Sequence, residues 1–261
     1  MTCLAIARMA FFREAFYRFE LFFNALKAVV FVLVVSAVWR AVYAGRASVG
    51  GLSLEEVIYY TCTAITLTLL YEINLEREIG DRLRSGNLAF QLLKPVNYYL
   101  YGFSEGVGTV CYTALFSAIP TLLVLILLFD LPPIPIAQFG KTLLMVVLGF
   151  TLFFAFCHLT ALTTFFTIEA WGVEYLRQTI VRFLAGGFLP LTFFPEPLLH
   201  LALWLPFPYM IYAPARALAG QLPPETAVPT LITQAAWCAA LLLANYGYWK
   251  VLVRQVTIHG G

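Results

Sequence analysis

Hydrophobic positions along this chain gather into long apolar runs, separated by short polar or charged stretches. Residues 21–43, 54–75, 107–129, 142–168 and 228–251 are each long enough to cross a bilayer as a helix of about 20 residues. A shorter run, 173–189, leads into a stretch broken by six prolines, at 190, 195, 197, 206, 208 and 214. The pattern predicts an all-α membrane protein with six transmembrane helices. Strand-period alternation is missing, which argues against a transmembrane barrel.

The edges of these runs carry the local detail. In residues 1–20, Arg8, Arg13 and Arg18 sit among Phe11, Phe12, Phe16, Tyr17 and Phe19, which predicts an amphipathic helix lying at the membrane interface. A simple continuation of the first span is the alternative. After the second run, Leu75, Ile79 and Leu83 keep an i, i+4 apolar stripe while the other faces turn charged. That predicts a helix leaving the membrane without a break, with Arg77–Asp81 and Glu78–Arg82 pairs along it. Ser85 and Gly86 end it, because glycine takes the left-handed C′ conformation at little cost. Asn87 then caps a short helix, 88–93, that Pro95 stops. Leu88, Phe90, Leu92 and Leu93 are left available for contact.

Between the fifth and sixth spans, residues 190–220 predict a Pro-rich re-entrant hairpin. Its short helices fall near 197–205 and 208–218 and stop at Gly220, since apolar helices of about 10–14 residues are too short to span. Gly102-x-x-x-Gly106 predicts close helix packing. Thr160, Thr163, Thr164 and Thr167 share one face of the fourth span and are expected to bond to backbone or to a neighbouring helix.

Composition agrees with the pattern: 61% of the 261 residues are hydrophobic and 11% are charged, against about 25% charged in a soluble domain. The net charge of +2 gives no support to a nucleic-acid partner. With six spans, twelve Lys and Arg fall on the side of both termini, and four (Arg40, Arg46, Lys141 and Arg216) fall on the other. The positive-inside rule therefore predicts cytoplasmic termini, a cytoplasmic loop at 76–97, and Pro-rich hairpins near the outer face. The first run is too long for a signal-peptide core and lacks an A-x-A site, so no cleaved signal is expected.

Catalytic patterns are few. Gly140-Lys141-Thr142 resembles the end of a phosphate loop, but the first glycine of that motif would fall at Pro135. The five cysteines are scattered, and the histidines His158, His200 and His259 lie far apart without a metalloprotease or hydrolase motif around them. Glu196 and His200, four residues apart, are expected to satisfy an exposed helix turn. No metal, bound cofactor or catalytic group is expected in this chain. An ion-coupled secondary transporter is the alternative function, yet it should carry ionisable groups inside its spans. Glu55, Glu56, Glu105, Arg177 and Arg182 all fall near predicted boundaries, where snorkelling accounts for them.

Two stretches carry a family resemblance. One runs from Asp81-Arg82-Leu83-Arg84-Ser85-Gly86-Asn87-Leu88 to Leu92-Leu93-Lys94-Pro95-Val96-Asn97. The other runs from Arg182 through Gly186-Gly187, Phe194-Pro195, Leu205-Pro206-Phe207 and Tyr212-x-Pro214 to Gly220. With the six-span order, they make the chain resemble the permease subunit of type 2 ATP-binding cassette (ABC) transporters, chiefly exporters.

The resemblance implies a single permease domain, 1–261, in a bacterial inner membrane. It implies a second permease subunit, identical or related, and separate ATPase subunits that bind ATP and magnesium. Arg82, Arg84, Ser85, Gly86, Asn87, Leu88, Phe90, Leu92, Leu93, Lys94 and Pro95 would contact the ATPase as a coupling helix. Phe194, Pro195, Leu205, Pro206, Phe207 and Tyr212 would form an outer gate. Asn87 departs from the family, which often has an acidic residue there. A loop that only anchored to acidic lipid heads would not need the apolar 88–93 patch.

Overall fold

The computed structural model describes residues 2–86, 96–166 and 170–255. Its regular elements are helical throughout, apart from one isolated bridge between Val49 and Leu52. Helix α1 (Thr2–Glu14) continues through one 3-10 turn into α2 (Arg18–Val42), and α3 (Leu54–Leu70) is followed by α4 (Leu75–Arg84). Helix α5 (Tyr98–Thr113) passes through a π turn at Ala114–Ala118 into α6 (Ile119–Phe129). Then come α7 (Ile136–Ala161), α8 (Ala170–Leu184), two short helices α9 (Glu196–Leu203) and α10 (Tyr212–Leu218), and α11 (Pro224–Gln255).

Four of these stretches are long and apolar enough to cross a membrane: Thr2–Val42, Tyr98–Phe129, Ile136–Phe165 and Pro224–Leu252. A bent pair, Glu196–Leu203 with Phe207–Leu218, meets at 70° and could make a fifth. The second and fifth expected spans are helical but short, 17 and 15 residues in α3 and α8. At 1.5 Å per residue they reach about 25 and 22 Å, less than the roughly 30 Å of a hydrocarbon core. Helix α3 is the central element, with Val57, Tyr60, Cys62, Ala64 and Leu67 all buried.

The unbroken helix expected from the second span into the charged segment is interrupted. Helix α3 stops at Leu70, and α4 begins at Leu75. Two tertiary bonds hold the break. The Tyr71 hydroxyl donates to the Val146 carbonyl at 2.6 Å, and Arg177 donates to the freed carbonyl of Ile73 at 3.2 Å. A broken backbone is tolerated at membrane depth where protein groups satisfy it.

Small residues set the packing elsewhere. A Cβ added at Gly106 would stand 3.0 Å from the Phe154 ring, so this glycine lets α5 lie against α7 as the Gly102-x-x-x-Gly106 spacing predicts. At Gly108 an added Cβ would collide with the backbone oxygen of Ala7, and Ala10 is buried there, so α1 packs along α5. Pro120, which lacks an N–H, stands two residues past the end of the π turn, where the helix ladder is already loosened. Helices α7 and α11 are joined by buried amides: Gln234 donates to the carbonyls of Met145 and Tyr209, and Asn245 donates to that of Ala155. His158 Nδ1 lies 2.8 Å from Asn245 Oδ1.

Contacts between helix ends sort the molecule into two poles. At one, Arg82 and Arg13 meet Glu105, Thr160 meets Glu76, and Tyr98 stacks on Trp249 with centroids 4.7 Å apart. At the other, Trp39 stacks on Phe193 at 5.1 Å, and Gln221 donates to the Glu56 carbonyl at 2.6 Å.

Candidate functional site

Helix α4 sits at the first pole, outside the long apolar helices. Its apolar stripe, Leu75 and Ile79, is buried, and Gly80 gives room for Ala170 at the start of α8, where an added Cβ would come within 2.7 Å. The charged faces point to neighbours rather than along the helix alone. Arg82 reaches Glu105 of α5 at 3.1 Å and Glu78 at 3.5 Å, and Arg13 of α1 reaches Glu105 at 3.4 Å. The Glu78–Arg82 pair is thus present, whereas Arg77 turns away from Asp81 and binds Glu174 of α8 at 3.1 Å. Asp81 is taken by Arg84 at 2.8 Å instead. Burial raises the Glu78 carboxyl above its ordinary range, while Arg82 pulls the other way.

The stop expected at Ser85–Gly86 is present. Ser85 N–H bonds to the Asp81 carbonyl at 3.0 Å, and Gly86 has φ +71°, a conformation that favours glycine. Of the residues expected to meet a partner, Arg82, Arg84, Ser85 and Gly86 are seen at the end of α4. Asn87, Leu88, Phe90, Leu92, Leu93, Lys94 and Pro95 lie outside the described residues. On the far side, Asn97 caps α5, accepting from Leu100 N–H at 3.2 Å.

Beneath α4 lies a buried polar knot. Arg177 Nε meets Glu76 Oε1 at 2.5 Å, with the two side chains 2% and 0% exposed. Thr160 of α7 donates to the same carboxylate oxygen at 2.7 Å, and the guanidinium lies over the Phe153 ring at 5.5 Å. Gln178 adds a bond to Glu174 at 3.0 Å. Arg177 therefore does not snorkel as its sequence position suggests, because a carboxylate waits for it inside the protein. Thr160 bonds across helices, and Thr163 and Thr164 bond to the carbonyls of Thr160 and Ala161, as the threonine face predicts. Thr167 lies outside the described residues. Glu76 escaped the sequence reading. Its signal was a carboxylate three residues before Ile79 on the apolar stripe of an otherwise amphipathic helix.

The Pro-rich segment reaches deep into the bundle. Pro206, Phe207 and Pro208 are buried, as is every residue from Met210 to Ala215. Phe207 packs edge-on to Phe156 at 5.1 Å, and Tyr212 lies 5.7 Å from Tyr60. Phe194 stacks on Phe183 at 5.0 Å, with Pro195 exposed at the start of α9. The six expected gate residues thus divide: Pro206, Phe207 and Tyr212 are buried, Leu205 and Phe194 are half-buried against the core, and Pro195 is exposed. Helix α3 clamps both ends of the segment. The Tyr60 hydroxyl donates to the Gly186 carbonyl at 2.6 Å, and Thr63 donates to that of Ala215 at 3.0 Å. Gly186 and Gly220, at φ +75° and +71°, bound the segment, the second at the stop expected there.

A family model described as ABC-2 family transporter protein matches residues 29–260. No curated protein and no solved structure gives a significant match.

Proposed function

Since the chain belongs to the ABC-2 family of transporter permeases, we propose that it is the membrane subunit of an ATP-driven exporter energised by a separate ATPase. Two permease subunits, identical or related, would form the translocation unit, with ATP and magnesium held by the ATPases. The pole that carries α4 faces the cytoplasm of a bacterial inner membrane, together with both termini, a reading supported by the twelve-to-four excess of Lys and Arg that a six-span order puts on that side. Helix α4 and residues 85–95 receive the ATPase, and residues 194–212 close the path at the outer pole. The cargo is amphipathic, lipid-like or polymeric.

One observation carries this reading: α4 is tied to α8 by two ion pairs, Glu76–Arg177 and Arg77–Glu174. A push on the end of α4 therefore moves α8 as a rigid body, and α8 runs directly into the Pro-rich segment through Gly186. An ion-coupled carrier would instead need a carboxylate free to exchange protons. Glu76 is held by Arg177 and Thr160, which suits structure better than proton exchange.

The test is reconstitution of the chain with its co-purifying ATPase. Export should require ATP, and disrupting Leu88, Phe90, Leu92 and Leu93 should leave hydrolysis running while transport stops. Full transport driven by a proton or sodium gradient in vesicles without nucleotide would sink the proposal.

A further inference from the structure

A cavity of about 220 Å³ opens between α2, the α3–α4 break and α8. Its walls divide by chemistry. Phe31 and Phe188, 38% and 50% exposed, supply apolar surface together with Phe153 and Ile211. Lys27 and Arg182 line the same space, and both are exposed. Lys27 bonds only to the neutral Asn24, at 2.9 Å, and neither cation has a carboxylate partner within 4.0 Å among the described residues. Arg177 also lines the cavity, but Glu76 neutralises it. Among the described residues Glu72 is the one acidic side chain in the lining, so an excess of positive charge remains there.

Two unpaired cations beside exposed aromatic surface, in a protein embedded in membrane, call for an anion that carries a hydrocarbon chain. We infer that this cavity binds an anionic phospholipid of the surrounding bilayer, with its phosphate between Lys27 and Arg182 and its first methylenes against Phe31 and Phe188. A zwitterionic lipid brings a compensating ammonium, and this lining offers it Glu72 alone. The inference rests only on the chain's being a membrane protein, so it stands or falls separately from the transport reading.

The test uses the purified full chain in detergent, titrated with phosphatidylglycerol or phosphatidylcholine and followed by native mass spectrometry. Phosphatidylglycerol should be retained in preference. Lys27→Gln and Arg182→Gln should each weaken its binding about fivefold, and the double variant about 30-fold. A charge-matched control, Arg40→Gln with Arg46→Gln, should leave binding unchanged. Both cavity cations are exposed, so the double variant should keep the parent's thermal midpoint, and a photoreactive phenylalanine at position 188 should cross-link the acyl chain in the parent. The inference is overturned if the double variant retains phosphatidylglycerol like the parent, if the control loses it equally, or if phosphatidylcholine binds as tightly.

Discussion

The Glu76 carboxylate is held by a guanidinium from 101 positions along the chain, in a place where neither side chain meets solvent. Removing one member of such a pair leaves a buried charge uncompensated, a loss of about 3–5 kcal/mol, whereas replacing both by neutral groups of similar size costs far less. Arg177→Met and Glu76→Gln should therefore each lower the thermal midpoint in detergent sharply, and the double variant should be more stable than either. Additive losses would show that the two residues do not act as a unit. Glu78, two positions along α4, behaves differently: partial burial raises its carboxyl pKa above the ordinary 4.5, an effect that its 41% exposure to solvent keeps small. The folded state then holds the proton more tightly than the unfolded one, so this group favours folding below pH 4.5 and that contribution is lost as pH rises through the folded-state pKa. Glu78→Gln removes that penalty and gives up only a 3.5 Å contact, since Arg82 keeps Glu105 at 3.1 Å. The variant should melt slightly above the parent at pH 7, because solvent screens much of the penalty, with the gap closing below pH 4.5. A lower midpoint at pH 7 would mean that the Arg82 contact outweighs burial.

At the scale of elements, the seam between α1 and α5 depends on the missing side chain of Gly108. A Cβ there would meet the Ala7 carbonyl oxygen and come within 2.8 Å of Ala10 Cβ. Gly108→Val should cost about 1–3 kcal/mol by overpacking and should speed amide exchange in residues 2–14, with α7 and α11 unaffected. Gly140→Ala is the control, because an added Cβ there meets nothing within 4 Å. Unchanged exchange in α1 would show that the helix is not held by this seam. The long apolar helices, the stop at Gly86, the close packing at Gly106 and the short helices of the Pro-rich segment were legible in the sequence, because runs, turns and prolines act locally; the seam at Gly108 was not. The break at 71–74 was not. Its apolar stripe ran on unbroken, and the interruption is stabilised by Val146 and Arg177, which are distant in sequence. The same distance hid Glu76, whose meaning depends on which residue of α8 faces it.

For the whole molecule, the decisive geometry is that α4 and the Pro-rich segment join opposite poles through α8. Arg77 and Glu76 fasten α4 to Glu174 and Arg177, four and seven residues into α8 from its first residue at Ala170. From Leu184 the chain turns at Gly186, whose carbonyl is fixed to Tyr60, and enters the buried 206–215 stretch. Movement of α8 along or about its axis cannot be absorbed by a loose loop there, because Thr63 also holds Ala215. Coupling should therefore depend on the ion pairs even when stability does not. The double variant Glu76→Gln with Arg177→Met, combined with Arg77→Gln, keeps apolar packing under α4 but loosens its tie to α8. With the partner ATPase it should hydrolyse ATP at the parent rate while moving about tenfold less cargo per ATP, the size of an ordinary coupling free energy. Restoring the charges in reverse order, Glu76→Arg with Arg177→Glu, should recover part of the ratio. Unchanged cargo per ATP in the neutral variant would place the link between the poles elsewhere in the bundle.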